Sequence, residues 1–342
     1  MNKCGGGIKV DTLDSNPEGL VKFQDTAPIR RKEVKRKCDS LFPEFEVEEQ
    51  SAHQRPFEYS QKHCWQYDIR LNNRQEDLKN AGLTEAEVSK LTISDFQFNV
   101  FDKYDKRQFN DVKSFIERHE WLGSMSLYPT LFFTAKYKGI LAGAVIMDVP
   151  AVFSKILGEE TKKWERLISR GACISWSPKN LASALLMWAI KWAVANTQFR
   201  VFTAYSDPEA KEIGTIYQAC NFIYLGQNSG TKKKYKVGDK WTSDRYFRTR
   251  SAYKRFATQL GIRWGYDWNK GNTIYWDRMS AGVVEQIKNK SKEEQAKAEK
   301  REAPTKHKYV YILGRTRKET KELKNLFKKH SPKSQGIIYP KR

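Results

Sequence analysis

Between Cys173 and Trp192 the chain reads CISWSPKNLASALLMWAIKW: a strand-like run, a tight Ser177-Pro178 turn, and a helix whose single charge is Lys191. A helix that is apolar on every side needs covering on every side, so it belongs in a core. The strand directly before it makes a strand–turn–helix unit, a building block of α/β folds. The first N–H groups of a helix also lack intrahelical acceptors and take either a cap or an anion. Ser177 suits the N-cap and Pro178 the first helical position, where an N–H would have had no partner. Lys179, Asn180 and Ser183 offer side chains to a phosphate group at the same turn, while capping alone leaves it without a ligand. Both readings stay open.

From Phe96 onward the pattern is regular. FQFNVFD alternates as a strand, and DKRQFNDVKSFIERHEWL places Phe109, Val112, Ile116 and His119 on one helical face. TLFFTAKYKGILAGAVIMDV predicts two strands meeting at Lys138-Gly139. AVFSKILGEETKKWERL then reads as helical, ISRGACISW and FRVFTAYSD as strands, PEAKEIGTIYQACN as a helix, and FIYLGQN as a closing strand. The expected fold is α/β: one mixed central sheet with helices on both faces, over residues 96–228.

Residues 1–95 read as an irregular N-terminal extension. It holds a basic cluster, Ile29–Cys38, and one short helix at Leu83–Leu91, capped by Thr84 with Glu87 at the capping-box position. Residues 229–342 read as a basic C-terminal extension packed on the core. It begins with an aromatic hairpin around Gly238-Asp239 and continues with a helix ended by Gly261. A charge-mixed helix follows, and then a strand, Lys308–Gly314, that returns to a sheet.

Charge narrows the partner. Lys and Arg number 62 against 40 Asp and Glu, and a net charge of +22 attracts polyanions, nucleic acid first. Arg245, Arg248 and Arg250, interleaved with Trp241, Tyr246 and Phe247, suit phosphate contact beside base stacking; a solvated hairpin is the alternative. No apolar run reaches membrane-spanning length, and the five cysteines show no CxxC spacing. A reducing, cytoplasmic setting with no membrane partner is expected. His53, His63 and Cys64 fit no standard metal spacing.

Asp207 follows a strand's C-terminal end, the edge where open α/β sheets place ligands. It reads as a general base toward an amino group, as an acceptor that orients that group, or as the N-cap before Pro208. Tyr205 and Tyr217 supply hydroxyls or stacking faces, and Tyr217 equally fits a core. Gln218 and Asn221 carry amides that match an adenine edge, Asn221 being also a natural helix C-cap.

The order of elements resembles the GNAT (N-acetyltransferase) fold. Three stretches are similar to the phage Mom family. ISWSPKNLASALL (Ile174–Leu186) resembles its Pro-x-Asn-x-x-Ser turn, and AYSDPEAKEIGTIYQACNFIYLG (Ala204–Gly226) resembles its Tyr-Ala-Asp … Tyr-Gln-Ala block. The end, KHKYVYILG … YPKR, resembles its aromatic and Pro-Lys close, and HEWLGSM (His119–Met125) is a weaker fourth match. The matches run from about Phe96 to the C-terminus. They imply carbamoylmethylation of adenine N6 in duplex DNA, which blocks restriction enzymes and requires a flipped base. They also imply Asp207, Tyr217, Tyr205 and His119 as catalytic residues, acetyl-CoA as cofactor, and a metal such as Fe(II). The turn at Ser177 lacks the glycines by which ordinary acetyltransferases approach a CoA pyrophosphate. An N-acetyltransferase of protein or small molecule, and a non-catalytic nucleic-acid-binding relative, are the alternatives.

Overall fold

Seven strands form the central sheet of the computed structural model, which describes residues 62–341 except 127, 231–232 and 333–335. All of them belong to one compact unit, 52–342. The cluster at 29–38 and His53 lie outside the described residues. The element order is α1 (Trp65–Ala81), α2 (Glu85–Val88), β1 (Gln97–Asp102), α3 (Lys106–His119), β2 (Pro129–Tyr137), β3 (Ile140–Asp148), β4 (Glu165–Cys173) and α4 (Leu181–Asn196). It continues with β5 (Val201–Ser206), α5 (Thr215–Ala219), β6 (Ile223–Ser229), β7 (Lys233–Val237), β8 (Lys240–Thr242) and α6 (Arg250–Gln259). It closes with β9 (Asn269–Lys270), β10 (Thr273–Ile274), α7 (Ala281–Lys297), β11 (Lys300–Glu302), β12 (Lys306–Ile312) and α8 (Arg317–His330).

The sheet runs β1-β2-β3-β4-β5-β12-β6, and its one parallel pair is β4 with β5. That pairing extends only from Glu165↔Val201 to Ile168↔Ala204. Beyond it β4 continues to Cys173 against β3, and β5 to Ser206 against β12. The two strands therefore part at their C-terminal ends. Helices cover both faces, as expected of this GNAT-like order. Adjacent residues of a strand point to opposite faces: Phe132 meets Phe109 of α3, and Phe133 meets Trp188 and Trp192 of α4. The apolar helix read from the sequence is α4, burying Leu181, Leu185, Leu186, Ala189, Ile190, Ala193 and Val194. The Lys138-Gly139 hairpin forms with both residues at positive φ (48° and 87°), the conformation a two-residue turn between twisted strands demands.

Four expectations change. The irregular stretch up to residue 95 is helical from Trp65 to Ala81, and Leu78 and Val88 join the main core. It buries two acids, Asp68 and Asp77, and exposes Leu71, so the amphipathic signal is weak. AVFSKILGEETKKW is a loop with one 3-10 turn, Lys162–Trp164, and the ERL that follows opens β4; Lys155 and Gly158 take positive φ and break any helix. PEAKEIGTIYQACN splits into a 3-10 turn, Pro208–Ala210, and the short α5. The break falls at Lys211 and Gly214 (φ 57° and 69°), where a Cβ on Gly214 would run into the Tyr309 ring. Finally, the C-terminal extension is not wholly outside the sheet: the strand read as returning to a sheet does so, as β12 between β5 and β6. Residues 230–305 are thus an insertion into the sheet, with its own core of Phe247, Ala252, Tyr253, Phe256, Ala257 and Ile287. The capping box at Thr84 and Glu87 forms as read. Among the described residues no helix is long and apolar enough to cross a membrane.

Candidate functional site

Polar groups gather where β4 and β5 part. On the β4 side the loop after α3 is pinned twice: Gln66 of α1 donates to the His119 carbonyl (2.5 Å) and accepts from the Trp121 N–H (3.1 Å). Arg170, two residues beyond the last parallel pair, donates to the Ser124 carbonyl (2.7 Å). Its Nε lies 4.0 Å from the buried Glu120 carboxylate, which also accepts from the Leu122 N–H (3.0 Å). On the β5 side the broken segment carries Glu212 and then Tyr217. Burial first, and then the facing charge of Glu120, push the Glu212 acid up to about 7, although it also hydrogen-bonds the Trp121 side chain. Burial, followed by Glu212 and Glu120, holds the Tyr217 hydroxyl well above the ordinary range. The Tyr217 ring lies 5.3 Å from both Phe222 and Tyr309. Charge thus links Tyr217 to Glu212 and Glu120, and a hydrogen bond links Glu212 to Trp121, three residues the sequence did not single out. Glu212 lies between the left-handed Lys211 and Gly214, in the break between the 3-10 turn and α5.

Asp207 is buried at the same end of β5. Its Oδ1 accepts from the Glu209 N–H (3.0 Å), its Oδ2 lies 3.1 Å from Lys306 Nζ, and its carbonyl accepts from the Glu212 N–H (3.1 Å). It therefore fixes the turn that presents Glu212. Tyr205 takes the other sheet face from Tyr217: Ala204 and its partner Tyr309 enter the main core, so the next residue points away, and Lys308 lies 5.8 Å over its ring. Gln218 donates to the Ile213 carbonyl (2.7 Å) and the Pro340 carbonyl (3.4 Å), and exposed Asn221 occupies a left-handed turn (φ 58°). His119 packs toward α1, 3.7 Å from Asp77 and with its ring 4.5 Å from Phe115.

The anion turn is built differently from its sequence reading. The N-cap of α4 is Asn180, not Ser177, and its side chain makes no cap. Ser177 is buried, and its carbonyl and hydroxyl both accept from Arg70 (3.3 Å each). The Ser175 carbonyl accepts from Arg70 (3.2 Å) and Arg74 (2.8 Å). These carbonyls are thus held by α1, and the helix starts three residues further on. Ser183 turns its hydroxyl back to the Asn180 carbonyl (3.0 Å). Exposed Lys179 beside an uncapped helix start fits an anionic group such as a CoA phosphate. An iron centre is not matched: among the described residues no group of three or more His, Cys, Asp or Glu could hold a metal ion.

The cationic insertion docks on the Asp207 turn through Glu209, which pairs with Lys234 of β7 and Arg301 of β11. Arg301 also lies 4.8 Å over the Trp241 ring. Arg245 and Arg248 line an open cavity of about 590 Å³ with Gly230, Lys233, Tyr235, Asp244 and Gln295, and Arg248 pairs with Asp244. Arg250 is elsewhere, donating to the Gly271 carbonyl (2.6 Å).

A sequence profile of the Mom protein family matches residues 109–333. No curated protein matches the chain. Among solved structures, an N-acetyltransferase from Staphylococcus aureus Mu50 is similar at 15% identity and a TM-score of 0.30, over 43% of this chain and 92% of that one. An acetyltransferase from Bacillus subtilis in complex with CoA is similar at 9% identity and a TM-score of 0.29, over 64% and 99%. Arabidopsis thaliana NAA60 in complex with acetyl-CoA is similar at 12% identity and a TM-score of 0.30, over 43% and 93%. Likeness at this level carries no argument about activity.

Proposed function

The chain belongs to the Mom protein family, and from that membership we propose that it transfers a carbamoylmethyl group to N6 of adenine in DNA, protecting the DNA from restriction. The observation that carries the reading is that Glu212 and Tyr217, on the segment after β5, both feel the charge of Glu120, beside the cationic insertion docked through Glu209. An exocyclic amino group loses a proton as its nitrogen forms a new bond. A carboxyl group that titrates near 7 suits the role of acceptor at neutral pH. Tyr217 stays protonated there and serves as a hydrogen-bond donor. Glu212 thereby takes the base role first read for Asp207, which holds the turn in place through its cap and Lys306. The target base leaves the stack at a cost of a few kcal/mol, and the cations around the insertion hold the duplex phosphates meanwhile. Acetyl-CoA, held by Lys179 and the start of α4, would acetylate an amine and release the CoA thiol. A carbamoylmethyl product needs instead a donor that already carries the carboxamide, its leaving group departing from the methylene as N6 bonds to that carbon and gives up a proton.

The uncapped start of α4 also favours a second reading, an N-acetyltransferase of protein or small-molecule amines. Plasmid DNA from cells expressing the chain separates the two. Resistance to endonucleases that cut at adenine-containing sites supports DNA modification, and cleavage at the normal rate by well-folded protein counts against it.

A further inference from the structure

The loop between α6 and α7 is used neither by the parted strands nor by the cavity at Arg245. It reads RWGYDWNKGNTIYWDR, Arg263 to Arg278. Tyr266, ahead of β9, is 98% exposed, more than any other large apolar side chain among the described residues. Its backbone is nevertheless tied down. Arg278 donates to the Asp267 carbonyl (3.1 Å), the Tyr275 N–H to the Trp268 carbonyl (2.8 Å), and Arg250 to the Gly271 carbonyl (2.6 Å). Within the loop the Trp264 indole donates to Asn269 (2.9 Å), and Trp264 meets Trp268 edge-on at 5.6 Å. An aromatic ring held out into water by a braced loop is a preformed contact that loses little freedom on binding.

The flanking charge says what it contacts. Between Lys254 and Arg278 five cations stand against two carboxylates. Lys254 lies 5.8 Å over the Trp264 ring and Arg278 4.3 Å over the Tyr275 ring, so cations and ring faces alternate on this surface. Rings interleaved with positive charge match unstacked bases on a phosphodiester backbone, since every base offers a π-face and every linkage an anion. A duplex hides its base faces and offers such rings nothing to stack on. We propose that the Arg263–Arg278 loop is a stacking platform for an unpaired stretch of nucleic acid, with Tyr266 as its principal ring. The inference rests on the reading of the chain as a DNA-modifying protein and adds that it also grips single strand, at a place other than the cleft.

The test uses the full chain and two fluorescent probes, a single-stranded oligonucleotide and a duplex of the same sequence. Tyr266→Ala removes a ring whose side chain lies in solvent and leaves the fold intact. We expect it to weaken single-strand binding about fivefold or more while changing duplex binding little, and Tyr266→Trp to retain binding. Arg263→Ala should flatten the salt dependence of single-strand binding. Unchanged single-strand affinity in Tyr266→Ala overturns the proposal. So does an equal loss on both probes, or a loss of self-association alone, which would assign the ring to a second copy of the chain. Measuring nucleoside modification in parallel keeps the two claims apart. Modification without any Tyr266 effect sinks the platform only, whereas a Tyr266 effect without modification sinks the proposed reaction only.

Discussion

Glu212 and Glu120 reach one corner of the fold from opposite sides of the parted strands, Glu212 from the turn after β5 and Glu120 from the loop after α3, and the charge of Glu120 opposes ionisation of Glu212. With burial as the larger cause, the Glu212 acid moves from its ordinary 4.5 to about 7. Below pH 4.5 both folded and unfolded chains keep this proton. As pH rises from there the unfolded chain releases it first, so stability is lost until the folded acid also titrates near 7. Glu212→Gln should remove that slope, read as melting temperature across this window. Product formation by the unaltered protein should rise as pH climbs through about 7, because a proton acceptor works only when ionised.

Tyr217→Phe keeps the ring that packs between Phe222 and Tyr309 and deletes only the hydroxyl. The melting temperature should stay nearly unchanged while the rate falls about 10²-fold or more. An equal loss in Tyr205→Phe would contradict the placement of these two rings on opposite faces of the sheet.

Glu209 holds two cations, Lys234 and Arg301, against the turn that follows β5. Glu209→Ala should loosen the insertion without touching the central sheet. Amide hydrogen exchange is expected to quicken in β7 and β11 while β2 and β3 remain protected.

Gly214→Ala places a Cβ in the Tyr309 ring and holds alanine at φ 69°. A cost of about 1–3 kcal/mol is expected from the backbone alone, or roughly 2–4 °C of melting temperature per kcal/mol in a domain of this size. The clash adds to it, and because Tyr309 carries Tyr217, activity should fall further than stability.

Local signals were legible in the sequence wherever one residue type answers one backbone need. Lys138-Gly139 closes its hairpin, Thr84 and Glu87 cap their helix, and the uncharged face of α4 enters the core. The return of β12 was visible as a strand, but its place between β5 and β6 was not, because strand order is set by long-range pairing. α1 escaped notice because charged residues interrupt any apolar stripe; Arg70 and Arg74 hold the Ser175–Ser177 carbonyls, and Asp68 and Asp77 are buried. In the candidate site, the motif drew attention to Asp207 and Tyr217, and no sequence signal pointed to Glu212. It follows a left-handed lysine, Lys211, that no propensity favours.

The most direct measurement is nucleoside analysis by mass spectrometry of DNA from a host that expresses the chain, beside a host that expresses the Glu212→Gln protein. The expected outcome is a deoxyadenosine heavier by one carbamoylmethyl group in the first and its near absence in the second. Unmodified nucleosides from the host with well-folded unaltered protein, or equal product from both hosts, would contradict it.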